Sequence, residues 1–293
     1  MEIRPFRRSD ADRLATLAAT FARAETDFVL NPLWETEAEL FAEFERHAIA
    51  PEEHLLVAED EIGGPLGVVG FLRYSGENTA ALIAPIVERE ERGRGVGGRL
   101  LRAAFELGER LGIGLVTAAL GSRNRSGHSL LTAHGFRPVR QHVFMQCDQP
   151  TNVPPTAGIT LDFAGEEDIS GMIELFTEAG FAPPSEETMR TELANGQHAW
   201  AVAREDGRDV AFVELETHWP QRVWVSYVGV SPTSRERGVG SSLVSWALEQ
   251  QFASGAEKAM LMLSPANRAA LRAYEKVGFD RFRLIDVLEK PLG

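Results

Sequence analysis

The chain carries a single cysteine, Cys147, among 293 residues. One thiol excludes an internal disulfide framework and any multi-cysteine metal site, and no metal centre is expected. No apolar run approaches the length needed to cross a membrane. The first residues, Met1-Glu2-Ile3-Arg4-Pro5-Phe6-Arg7-Arg8, lack the apolar core of a signal peptide, so a cytoplasmic protein is expected. Positive charge is also scarce. Thirty Lys and Arg against 43 Asp and Glu leave a formal net charge of −13, which argues against a nucleic-acid or anionic-membrane surface. The same balance is compatible with a cationic small-molecule partner.

What is present is an ordinary globular composition, with 44% hydrophobic and 25% charged residues, in a chain long enough for about two domains. Each half can bury a core without covalent staples. One stretch organises the C-terminal third. Val223 to Val230 has the length and residue types of a strand, and Ser231-Pro232 ends it. An apolar-periodic helix starts near Gly238 and carries Leu243, Val244, Trp246, Ala247 and Leu248. Between them lies R-x-x-G-x-G, read on Arg235, Gly238 and Gly240. Glycines at a strand-to-helix turn let a ligand approach the backbone, and the first amides of the helix have no partner inside it. An anion there gains those hydrogen bonds and about 0.3–1 kcal/mol from the helix dipole. The turn is therefore read as a pyrophosphate cradle. It is not a dinucleotide fingerprint, because Leu243 stands where a third glycine would be, and it lacks the Gly-Lys-Ser/Thr of a Walker loop.

The pattern occurs twice. Arg92-Gly93-Arg94-Gly95-Val96-Gly97 precedes Arg235 and its neighbours by 143 residues. Asn124 and Asn267, Gly135-Phe136 and Gly278-Phe279, and Val87 and Val230 keep the same offset of 143. A constant offset means no net insertion between strand, cradle and the later Asn and Gly-Phe, so the chain is read as two folded units in tandem.

R-x-x-G-x-G closely resembles motif A of the GNAT superfamily of N-acetyltransferases. Asn267-Arg268-Ala269-Ala270-Leu271-Arg272-Ala273-Tyr274-Glu275-Lys276-Val277-Gly278-Phe279 resembles its motif B, N-x6-Y-x3-G-F. The resemblance covers nearly the whole chain. It implies an α/β (α+β) fold of two tandem GNAT domains, each a mixed, mostly antiparallel sheet with splayed central strands flanked by helices. It also implies acetyl-coenzyme A as cofactor and transfer to an amine, here expected to be the primary amine of a small molecule. A monomer or homodimer is expected.

By that resemblance the cofactor is held by backbone groups of Val228 and Val230, by Arg235, Glu236, Arg237, Gly238, Val239, Gly240 and Ser241, and by Asn267. The first unit carries the same equipment in Ile86, Val87, Arg92, Gly93, Arg94, Gly95, Val96, Gly97, Gly98 and Asn124. Tyr274 matches the family tyrosine that donates to the departing thiolate. A primary amine near pKa 10.4 is mostly charged at neutral pH, so a base is needed as well. Glu214, Glu216 and His218 share one face of the third strand at period two, and Glu214, then Glu216, is the expected base. The family often places a glutamate on the fourth strand, where this chain has Trp224, Ser226 and Tyr227. Leu131 stands at the tyrosine position of the first unit. The N-terminal unit is therefore expected to bind the cofactor, or to be structural, while the C-terminal unit catalyses. The alternative is a protein that binds or senses acyl-coenzyme A and does not catalyse.

The expected domains are residues 1–149 and 158–293, joined by a proline-bearing linker over 150–157. Val139 to Met145 is expected to supply the last strand of the first sheet, and Phe282 to Leu288 that of the second.

Overall fold

The computed structural model describes residues 1–73 and 78–293. It divides into two compact units, Met1–His142 with Arg283–Gly293, and Val143–Phe282.

The N-terminal unit opens with β1 (Glu2–Pro5), α1 (Ala11–Arg23), α2 (Glu37–Arg46) and the short α3 (Pro51–His54). Then follow β2 (Leu55–Glu59), β3 (Pro65–Arg73), β4 (Thr79–Val87), α4 (Val96–Arg110), β5 (Leu115–Gly121) and α5 (Arg125–Ala133). β1 to β4 form an antiparallel ladder in chain order. β4 and β5 run parallel and pair only over Thr79–Ala81 and Leu115–Thr117, then diverge. In α4 the buried positions Val96, Leu100, Leu101, Ala104 and Leu107 recur at helical spacing, which seats that helix on the sheet.

The C-terminal unit repeats the plan. β7 (Ile159–Phe163), α6 (Ile169–Ala179) and α7 (Glu186–Asn195) lead into β8 (His198–Glu205), β9 (Arg208–Glu216) and β10 (Arg222–Val230). α8 (Val239–Ala253), β11 (Lys258–Leu263) and α9 (Arg268–Val277) follow. β7 to β10 are antiparallel, and β10 meets β11 in parallel only over Arg222–Trp224 and Lys258–Met260. Beyond Trp224 the two strands are splayed. One face of β8 and β9 packs Ala201, Ala203, Val213 and Leu215 with Leu243 and Val244 of α8. The other packs Trp200, Val202 and Phe212 with Met172 and Phe176 of α6.

The last strand of each unit differs from the sequence expectation. β6 (Arg137–Cys147) and β12 (Asp280–Pro291) each run from one unit into the other. Val143–Cys147 of β6 pairs antiparallel with β11, and Ile285–Pro291 of β12 pairs antiparallel with β5. Residues 283–293 thus belong to the N-terminal unit, not to the 158–293 expected. Both strands concentrate their buried residues toward the C-terminal half, Val143, Phe144, Met145 and Cys147 in one and Ile285, Val287 and Leu288 in the other. That pattern reveals burial but not which sheet buries it.

The linker is anchored along α8. Val153 is buried and its N–H donates to Ser245 Oγ at 2.9 Å, while Ser245 Oγ donates to Thr151 O at 2.9 Å.

Candidate active site

Both cradles form at a strand-to-helix turn. Gly95 and Gly238 are the N-caps of α4 and α8, with φ of 81° and 86°, a left-handed conformation that glycine adopts without strain. Val96, Gly97 and Gly98 in one unit, and Val239, Gly240 and Ser241 in the other, are therefore first-turn residues whose amides find no acceptor inside the helix. A Cβ on Gly97 would lie 3.2 Å from Leu130 Cδ2, and one on Gly240 would lie 3.0 Å from Val230 Cγ2. Glycine at these two places lets the helix start pack closely, on Leu130 of α5 in one unit and on Val230 of β10 in the other.

The arginines of the motif have other work. Arg92 Nε donates to Val87 O at 3.1 Å, and Arg235 Nε donates to Val230 O at 3.0 Å, so the same clamp ties each loop to the end of its strand. Arg92 also bonds Asp27 at 2.8 Å and lies over the Phe21 ring, and Arg235 reaches Glu178 O at 3.0 Å. Arg94 pairs with Glu91, and Arg237 makes a forked pair with Glu205. Gly93 and Glu236 complete the two loops with left-handed backbone.

In the N-terminal unit the cradle opens into a cavity of about 290 Å³. Pro85, Val87, Gly95 to Gly98 and Asn124 line it, together with Phe21, Val29 and Leu130. Ile86 does not reach it, because strand alternation turns that side chain into the core, where it is fully buried. Leu131, at the tyrosine position, lines the cavity with a methyl-bearing side chain that donates no proton. The wedge between the diverging strands holds the segment after α1. Leu30 N–H donates to Ala119 O, Gly121 N–H to Phe28 O, and Ala84 N–H to Asn31 O, all at 2.9–3.0 Å. Residues 28–31 thus bridge β5 to β4 within that wedge. β3 offers Val68, Val69, Gly70, Phe71 and Leu72, with no carboxylate among them.

The C-terminal unit is furnished differently. β10 bulges between Val225 and Tyr227, leaving Ser226 outside the regular register. Glu214 lies across from Tyr227, and Glu216 across from Trp224, so the two glutamates straddle the bulge. Both are buried, at 5% and 8% exposure. Ser226 Oγ donates to Glu216, and His198 Nδ1 of β8 bonds Glu214 Oε1 at 2.8 Å. Sequence reasoning missed this histidine. Burial pulls its pKa down, but the hydrogen bond and charge of Glu214, with Glu192 and Glu216 behind, leave it raised above the ordinary histidine value. Tyr227 is likewise raised, by burial first and then by Glu214, Glu216 and Glu192. Glu192, His198 and Glu214 each offer a polar atom within 4.8 Å of the other two. His218 lies beyond the strand, 3.7 Å from Glu216 and against Trp219 at 4.1 Å between ring centres. Trp224 stacks on Phe144, and Phe181 meets Tyr227 edge-on at 5.2 Å.

Asn267 caps α9 by accepting from Ala270 N–H at 3.2 Å, and Asn124 caps α5 through Gly127 N–H at 2.8 Å. Two turns into α9, Tyr274 packs edge-on to Phe279 at 5.6 Å, and burial raises its phenol so that it stays protonated. Trp34, by contrast, is 1% exposed and packs on Phe44 in the core. His128 pairs with Asp286, and His134 bonds Leu130 O.

A profile of the Acetyltransferase (GNAT) family matches residues 18–136 and 169–279. The chain belongs to the GNAT acetyltransferase family. Among curated relatives, the mycothiol acetyltransferase of Thermobispora bispora is 29% identical over 96% of this chain and 97% of its own length. That of Mycobacterium leprae is 28% identical over 78% of this chain and 81% of its own. Among solved structures, a GCN5-related N-acetyltransferase from Sphaerobacter thermophilus superposes with a TM-score of 0.80 at 21% identity, covering 99% of this chain and 95% of that one. A tandem GNAT protein from the clavulanic acid biosynthesis pathway gives 0.73 at 17% identity over 100% and 98%. The chain is thus an acetyltransferase with two GNAT domains. No helix among the described residues is long and apolar enough to cross a membrane.

Proposed function

We propose that the C-terminal unit transfers the acetyl group of acetyl-coenzyme A to the primary amine of a small molecule, directly and within a ternary complex. The observation that carries this reading is the bulge at Ser226. It faces Glu214 and Glu216 across the ladder in the unit that also keeps a cradle and Tyr274.

Acetyl-coenzyme A supplies the acetyl group as a thioester. The amides of Val239, Gly240 and Ser241 bind its pyrophosphate, and the free edge of β10 at Val228 and Val230 offers backbone groups to its pantetheine arm. Asn267 fixes the start of α9, and through it the place of Tyr274. Glu214 and Glu216 accept a hydrogen bond from the acceptor ammonium, and one of them takes its proton. Tyr274 holds a proton ready for the departing thiolate, a step of the kind that contributes about 10²–10⁴ in rate. A small-molecule acceptor is also the class implied by the names of the full-length relatives.

The N-terminal unit, in this reading, binds the same cofactor between Val87, Gly95 to Gly98 and Asn124 without turning it over. Leu131 and the segment 28–31 favour that division. A thiol-release assay over a panel of primary amines tests the function. Thiol release that depends on both an amine and Tyr274 is expected. Cofactor binding with no release on any amine would overturn the reading in favour of a binding protein.

A further inference from the structure

The end of α6 fixes the place of one exposed ring. Gly180 takes a left-handed conformation, with φ of 87°, and Phe181 N–H donates to Phe176 O at 2.9 Å. This turn sets Phe181 beside Phe176, with ring centres 6.2 Å apart. Tyr227 of β10 meets both rings at 5.2 Å, and Phe176 stacks on Phe212 at 4.3 Å beneath them. Phe176 and Phe212 are fully buried, whereas Phe181 is 39% and Tyr227 40% exposed. The two outer rings thus share an apolar face toward solvent on a packed floor, and adjoining exposed rings of this kind mark a place for a ligand. Tyr227 lies past Trp224, where β10 has already parted from β11, and stands opposite Glu214 in the β9–β10 ladder. Phe212 and Glu214, two residues apart, share the α6 face of β9. Acidic side chains and exposed rings therefore meet on one face.

We propose that Phe181 and Tyr227 are specificity-determining residues: they form an aromatic wall that selects primary amines whose amino group stands one or two carbons from an aromatic ring. This rests on the transfer reading above and names the acceptor class within it. Glu192, Glu214 and Glu216 surround the Tyr227 ring, so the neighbourhood draws a cation. Residues opposed on neighbouring strands are about 5 Å apart, and a ring carried one or two carbons from an ammonium spans that separation. Such a ring leaves water against Phe181 and Tyr227 and gains edge or offset contact with them. The ammonium itself gains from the adjacent Tyr227 face. A hydroxyl-bearing amine gains less, because its hydroxyls lose water against two ring faces without finding partners there. Phe181 is pinned by the turn after α6, and Tyr227 by its strand and by Phe176, so little side-chain freedom is lost when the acceptor arrives.

The test compares kcat/KM for 2-phenylethylamine and ethanolamine on the full chain. In the wild type the aromatic amine is expected to be preferred by about tenfold to 100-fold. Phe181→Ala and Tyr227→Ala are each expected to cut that preference by about fivefold or more, through a raised KM for 2-phenylethylamine, with acetyl-coenzyme A affinity unchanged. Loss of folded enzyme lowers both amines alike and leaves the ratio unmoved, so the ratio separates a lost wall from a weakened fold. Tyr227→Phe keeps the ring and is expected to hold the preference within about twofold. Equal use of the two amines by the wild type, or an unchanged ratio in either alanine variant, would overturn the proposal. Saturation-transfer NMR of 2-phenylethylamine, with coenzyme A present, needs no turnover. Binding that is lost in Tyr227→Ala, with no thiol released from any amine, would overturn the transfer reading and keep the aromatic site. No binding to the wild type would overturn the aromatic site itself.

Discussion

Gly93 and Glu236 occupy the same point of the two cradles, and both hold a left-handed backbone, at φ of 76° and 62°. One unit uses the residue that adopts this conformation freely, and the other places a glutamate there. Nothing lies within 4 Å of a Cβ added to Gly93, so the cost of a side chain at this point is in the backbone alone. Gly93→Ala is expected to destabilise the N-terminal unit by about 1 kcal/mol. Glu236→Gly is expected to leave the C-terminal unit unchanged or up to about 1 kcal/mol more stable. Denaturant unfolding of the two variants checks both signs.

Tyr274 and Leu131 stand at equivalent places on α9 and α5, and only the phenol can donate a proton. Tyr274→Phe is expected to lower kcat by about 10²-fold or more, with little change in acetyl-coenzyme A affinity. Leu131→Met, which conserves volume in a residue 1% exposed, is expected to cost under about 1.5 kcal/mol and to leave kcat unchanged. Steady-state kinetics on one responsive amine decides the matter. The reverse pattern would move catalysis to the N-terminal unit.

Ile285 and Leu288 are fully or almost fully buried in β12, which completes the sheet of the N-terminal unit beside β5. Ile285→Ala and Leu288→Ala are each expected to cost about 2–5 kcal/mol, felt as lost amide protection in β5 and α4. Protection lost instead in β10 and β11 would contradict the strand assignment.

Cys147 is 1% exposed, and burial pushes its thiol up to about 11. At pH 8 only about one molecule in a thousand is thiolate, and that one is shielded. Alkylation by iodoacetamide is expected to be negligible in the native chain and rapid after unfolding, as mass spectrometry would report.

Much of this was legible in the residues. The two cradles and the Asn and Gly-Phe that follow them are local, repeated at one offset, and tied to turns whose backbone only a few residues adopt easily. The exchange of β6 and β12 was not legible, because a strand's pattern says that it is buried but not against which neighbour. The partner of Glu214 was hidden by a single residue. Counting back from the Asp206-Gly207 turn sets His198 opposite Leu215, on the α8 side of the sheet. A register shift between Ala203 and Arg204 moves it opposite Glu216, onto the face of the two glutamates. The role of segment 28–31 was not legible either. Its backbone bonds to β4 and β5 bring together residues more than 50 positions apart, which no local pattern announces.

The account turns on exposed peptide N–H groups at two glycine turns receiving phosphate. Hydrogen–deuterium exchange of the full chain with and without saturating acetyl-coenzyme A tests it most directly. Slowed exchange is expected in two separate windows, residues 93–98 and 236–241, with the surrounding sheets unchanged. Equal exchange in both windows with and without the cofactor would contradict it.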